Sequence, residues 1–245
     1  MKKFYDKHEL AFAIVWIVIY VNLFSIADGA SRALGVEKLV TFPVAAAMSL
    51  LLLVWLRRHS LFEKYGLCAP RATARQFLYY LPLLLIVSCN AWLGLRMNMS
   101  AAESALYVLT MICVGFLEEL IFRGFLFKAM CRDGVKAAII ISSISFGIGH
   151  IVNLFNGSGA ELHATLCQVC YAMAAGFMFV IIFYRGGSLL PCIAAHSGIN
   201  ALSAFGVEAQ GMTEIWTALA LCVISGGYAI VLLHTLPKKE ERQHP

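Results

Sequence analysis

Apolar residues occur along this chain in long runs of similar length. Eight stretches recur from end to end: Leu10–Ala27, Leu39–Leu56, Phe77–Leu95, Ser104–Phe127, Val135–Phe155, Thr165–Tyr184, Ser188–Phe205 and Glu214–His234. About 20 such residues suffice to cross a bilayer as a helix. Lipid offers no partner to an open backbone, so these runs predict helices. The segments between them are short. Arg57–Gln76 is the longest and carries five basic residues, while Asn153–His163 is rich in Gly, Ser and Asn. The pattern predicts an all-α, polytopic membrane protein of about eight transmembrane helices. The first run follows Met1-Lys2-Lys3 and reads as a retained span. It is long for the apolar core of a signal peptide and lacks a convincing small-x-small cleavage site followed by a soluble domain.

Composition closes off the soluble alternative. Hydrophobic residues make up 60% of the 245 and charged ones 13%, with a mean hydropathy of +0.79; soluble domains carry about 25% charged residues. The net charge of +5 matters through its distribution. With the N-terminus placed in the cytoplasm, fifteen Lys and Arg fall inside and three, Arg32, Lys38 and Arg96, fall outside, leaving Arg123 within a run. This positive-inside bias predicts a multi-pass protein with both termini cytoplasmic, and the short loops and lack of a eukaryotic targeting signal favour a bacterial inner membrane. The bias also accounts for the basic charge without nucleic acid as a partner. Eight cysteines are scattered, and the Cys167-x-x-Cys170 pair has no matching second pair, so packing thiols are expected. Three spans fill residues 1–103, a core of 104–205 holds most of the unusual polar residues, and 206–245 supply the last span and tail.

Those polar residues change the picture from topology to chemistry. The fourth run contains Glu118-Glu119-x-x-x-Arg123, the fifth Phe146-x-x-x-His150 and the seventh His196-x-x-x-Asn200. Each ionisable group at the centre of a span is unfavourable by roughly 2.5–3.5 kcal/mol unless a partner or a cavity compensates it. Residues i and i+4 share a helix face, and ionisable residues in a membrane face the bundle interior. Three polar faces therefore can converge on one buried pocket. At 1.5 Å per residue, Glu118, His196 and His150 lie roughly 15, 16 and 21 Å from the basic side, a difference that helix tilt accommodates. Glu119 and Arg123 can pair along their helix with the carboxylate N-terminal to the cation, the better order, and read as structural. Glu118, turned by about 100°, has no partner in its own helix and is the candidate general base. Phe146 reads as a packing residue beside His150.

At these residues the sequence resembles the CAAX-protease and bacteriocin-processing family of intramembrane glutamate endopeptidases, whose three motifs occur here in the family's order on separate helices. The resemblance covers about Ser104 to Phe205. It implies an eight-helix fold with an interior cavity open to the cytoplasm, and hydrolysis of a peptide bond in a membrane-associated protein or peptide. Carried over, Glu118 and His150 would hold and activate the water, and His196 and Asn200 would stabilise the oxyanion, with Glu119, Arg123 and Phe146 in support. Glu and two His could also hold zinc. The lack of an H-E-x-x-H helix, and an Asn suited to an oxyanion, favour a mechanism without a cofactor. Two other classes remain open: a catalytically idle immunity or scaffold protein of the same fold, and a proton-coupled transporter, for which inverted repeats and interrupted helices would be expected.

Overall fold

The computed structural model describes residues 1–70 and 80–235. Within these residues the regular structure is helical, and the only strand-like pairing is an isolated antiparallel bridge between Leu95 and Gly206. A short α1 (Lys2–Lys7) leads into α2 (Glu9–Ala33), α3 (Thr41–Arg58) and a short α4 (Leu81–Val87), which a 3-10 turn extends to Ala91. Next come α5 (Ala101–Glu118), continued as a π-helix over Glu119–Phe127, and α6 (Val135–Gly149), ending in a 3-10 turn, His150–Leu154. The chain closes with α7 (Leu162–Gly186), α8 (Leu190–Leu202) and α9 (Met212–Thr235). It is an all-α polytopic membrane protein.

Among the described residues, six helices are long and apolar enough to span a bilayer: α2, α3, α5 with its continuation to Met130, α6 with its 3-10 turn, α7 and α9. Of the other two expected spans, Ser188–Phe205 is corrected to a short helix, and Phe77–Leu95 is described only from residue 80 onward. Among the described residues, Phe77–Leu95 becomes a helix over Leu81–Ala91, and Ser188–Phe205 becomes Leu190–Leu202; residues 77–79 lie outside the described residues. At 1.5 Å per residue these reach roughly 16 and 20 Å, short of the ~30 Å hydrocarbon core. The reason is local. Ser88, Asn90 and Gly94 interrupt the first run, and at and beyond the ends of both short helices the two segments bond to each other. Arg96 N–H donates to the Phe205 carbonyl (2.7 Å), Val207 N–H to Gly94 (3.1 Å), and the Asn90 amide to Ile199 (2.6 Å). Non-helical backbone at depth is tolerated only where protein satisfies it in this way.

Helix ends follow ordinary stop and start chemistry. Ser100 and Glu103 form a reciprocal capping box at the start of α5. Pro82 and Pro191 occupy the first turns of α4 and α8, where a missing N–H does no harm. Gly187 ends α7 in the left-handed conformation, at φ 71°. All eight cysteines are free thiols, consistent with packing.

The bundle has two distinct ends. One carries α1, the 59–68 loop, Lys128–Asp133 and Arg185–Leu189, tied together by Lys64 to Glu9 and Tyr5, and by Leu189 N–H to the Gly66 carbonyl. Ten Lys and Arg of the described residues lie there, against Arg32, Lys38 and Arg96 at the opposite end. The interior near the basic end is solid. Tyr5, Phe12, Trp16, Trp55, Tyr65 and Phe125 are all buried and meet ring to ring, with Phe12 on Trp55 at 5.2 Å and Tyr65 on Phe125 at 4.9 Å. A second apolar cluster joins Phe127, Phe179, Phe183, Leu189 and Cys192. Close helix approach depends on two glycines. A Cβ on Gly115 would sit 2.2 Å from Ser197 Oγ and 2.7 Å from Ser197 N, and one on Gly147 would sit 2.9 Å from Met173 N. Small residues of this kind let membrane helices touch backbone to backbone, here bringing α5 onto α8 and α6 onto α7.

Candidate active site

Glu118 is the last residue of α-helical geometry in α5, and Glu119 opens the π-helical segment, whose nine residues are all buried. The wider π turn is rare and recurs at functional sites. The expected pair forms within it: Arg123 Nη1 lies 3.1 Å from Glu119 Oε1, with both side chains fully buried. The guanidinium makes no aligned hydrogen bond among the described residues. It lies instead on an aromatic bed, its Cζ 4.0 Å from the centroid of Phe146 and 5.7 Å from that of Phe179, where ring faces attract a desolvated cation.

His196 reaches this pair from α8. Its Nδ1 lies 2.8 Å from Glu119 Oε1 and its Nε2 lies 3.4 Å from Glu118 Oε2. One imidazole therefore bridges both glutamates. Phe179 stacks on it at 5.9 Å and Phe146 meets it edge-on at 5.6 Å, so its plane is held from two sides. Glu119 is thus more than the partner of Arg123, because it also orients His196.

Glu118 gains a partner that its own helix does not supply. The Tyr20 hydroxyl, from the middle of α2, donates to Glu118 Oε1 at 2.6 Å. No spacing rule marks Tyr20 in the sequence: it is a lone tyrosine in an apolar run, and only the packing of α2 against the π-helical segment brings it in. The other carboxylate oxygen, Oε2, faces His196. The side chain keeps 12% exposure, the part that faces a cavity.

That cavity, about 170 Å³, is lined by Glu118, His150, Phe122, Phe146, Tyr20 and Val114 at its inner part. His150, the first residue of the 3-10 turn after α6, meets Phe146 edge-on at 5.4 Å and shares the cavity wall with Glu118. Six of the seven residues singled out from sequence thus come together around Phe146. Asn200, the seventh, is half-buried one helical turn beyond His196; its carbonyl accepts from Ser203 Oγ at 2.7 Å, and its amide makes no hydrogen bond among the described residues.

Toward the end opposite the basic one, the cavity wall becomes polar: Ser25, Asp28, Lys38, Thr41, Asn153 and Asn156. Lys38 Nζ lies 2.8 Å from Asp28 Oδ1, and Thr41 Oγ1 donates to the same oxygen at 2.6 Å. Burial pulls the Lys38 ammonium down in pKa, and Asp28, Glu37 and Tyr107 together more than offset it, leaving the pKa above its ordinary value. This rim is charge-balanced. Among the described residues, no group of three His, Cys, Asp or Glu side chains converges as a metal site requires.

Residues 100–202 match the family model described as type II CAAX prenyl endopeptidase Rce1-like. The matched segment spans all six residues clustered around Phe146, together with Asn200. No curated protein and no solved structure matches the chain.

Proposed function

We propose, from the match of residues 100–202 to the type II CAAX prenyl endopeptidase Rce1-like model, an intramembrane endopeptidase that hydrolyses a peptide bond of a membrane-associated protein or peptide with water activated by Glu118. The observation that carries this reading is the chain of contacts Arg123–Glu119–His196–Glu118, which ends on a cavity wall facing His150.

His196 stands between the two carboxylates, its Nδ1 facing Glu119 and its Nε2 facing Glu118. In the reaction, water held between Glu118 and His150 attacks the carbonyl carbon, and Glu118 takes the proton. Negative charge passes from Glu118 to the carbonyl oxygen. The His196 Nε2–H follows it, joined by the uncommitted Asn200 amide, so donors fixed in a low-dielectric site meet charge where it develops. Glu118 then returns the proton to the amine as the C–N bond breaks. Tyr20 holds the second carboxylate oxygen throughout. No metal is assigned a step, and the proposal is that none is needed.

The test is cleavage of a substrate peptide by purified protein in proteoliposomes, beside Glu118→Gln. The amide can still accept from Tyr20, so the variant is expected to fold and melt like the parent while cleavage falls to background. Full activity in Glu118→Gln sinks the assignment of the base. Activity lost on exhaustive chelation and restored by zinc sinks the metal-free step.

A further inference from the structure

The family resemblance implies access from the cytoplasm, yet the cavity leads the other way. From Glu118 toward the basic end the route is filled: Trp16 and Phe12 lie one and two turns below Tyr20 on α2 and pack, buried, with Trp55 and Phe125. Toward the opposite end, the apolar walls around Glu118 give way to the rim of Asp28, Lys38, Thr41, Asn153 and Asn156. That end carries three of the described Lys and Arg, against ten at the other. By the positive-inside rule the basic end is cytoplasmic. We propose, resting on the peptidase reading above, that the site is entered from the outer face of the membrane, and that its substrate is a polypeptide segment exposed on that face rather than a C-terminus presented from the cytosol.

The geometry further limits the substrate. Tyr20 and Asp28, at the inner and outer parts of the wall, are eight residues apart on α2, roughly 12 Å along its axis. An extended strand covers that distance with about four residues at ~3.3 Å each. The scissile bond therefore lies at least about four residues from any folded or helical part of the substrate, in a free end or an unwound stretch. The cavity beyond the rim is walled by Phe24, Phe122, Phe146, Met111 and Val114, which suits apolar side chains next to the cleaved bond. The rim's own charges are paired, so it selects no strongly charged peptide.

Two measurements test this independently of each other. In a background lacking thiol-reactive native cysteines, Ser25→Cys on the cavity wall is treated with a membrane-impermeant sulfonated methanethiosulfonate, in intact cells and in inside-out vesicles. Val152→Cys serves as a second wall position, and Ser158→Cys, exposed in the adjoining loop, reports orientation. Expected is modification of all three in intact cells and protection in inside-out vesicles. Modification of the wall cysteines only in inside-out vesicles, or from neither side while Ser158→Cys reacts, overturns outer access. The second measurement compares new protein termini between cells carrying the parent and cells carrying Glu118→Gln. New termini confined to outward-facing segments are expected, and new termini confined to cytoplasmic segments overturn the substrate class. Outer labelling with no difference in termini leaves access standing and removes the peptidase reading instead.

Discussion

His196 and Arg123 share one oxygen atom. The Nδ1 of His196 lies 2.8 Å, and the Nη1 of Arg123 3.1 Å, from Oε1 of Glu119. A single buried carboxylate therefore neutralises the cation and aims the imidazole, and its two tasks can be separated by mutation.

Glu119→Gln leaves Arg123 without its counter-charge, and breaking a buried pair in this way destabilises by roughly 3–5 kcal/mol. The double variant Glu119→Gln with Arg123→Met strands no charge and is expected to recover part of that loss. Cleavage per folded molecule should stay low in both, because His196 has lost the anion that orients it. Thermal melts in detergent and cleavage normalised to folded protein provide the check. Normal specific activity in the double variant would restrict Glu119 to a structural part.

Tyr20→Phe removes one donor from Glu118 and leaves the ring in place. Hydrogen bonds to charged groups contribute about 1.5–3 kcal/mol, so kcat is expected to fall roughly 10- to 100-fold. KM and the melting temperature should change little. An unchanged kcat would make the 2.6 Å contact a packing feature.

Asn200→Ala tests the proposed oxyanion donor. A drop of about 10²–10³ in kcat is expected, the usual scale for one such donor. KM should hold steady, because the interaction grows only in the transition state. A raised KM with kcat intact would instead assign Asn200 to substrate binding.

Gly115→Ala probes the contact that seats His196. The added carbon meets the Ser197 backbone nitrogen at 2.7 Å, so α8 must move away from α5. Overpacking of this kind destabilises by about 1–3 kcal/mol, and cleavage should fall along with the melting temperature. Gly226→Ala on α9, where nothing lies within 4 Å, serves as the control, expected to be neutral or slightly stabilising. Equal melting temperatures in the two variants would show that the close approach of α5 and α8 is not required.

The residue pattern alone determined the class of fold, the position of the six long spans and the ionisable residues of the site. Each of these is local: apolar length, charge bias and i,i+4 spacing act within one helix, and a buried charge is conspicuous wherever it falls. The Glu119–Arg123 pair was legible for the same reason. Only the tertiary structure decided the rest. The α4 and α8 runs are apolar enough to span, but their backbones find partners in each other at Leu95 and Gly206, which run length cannot register. The π-helical segment depends on enclosure by α2, α6 and α7. Tyr20 enters the site across 98 residues of chain, and the link from His196 to Glu119 crosses 77. The direction of the cavity follows from which end the aromatic side chains fill. These are properties of packing between helices, and no periodicity within a helix encodes them.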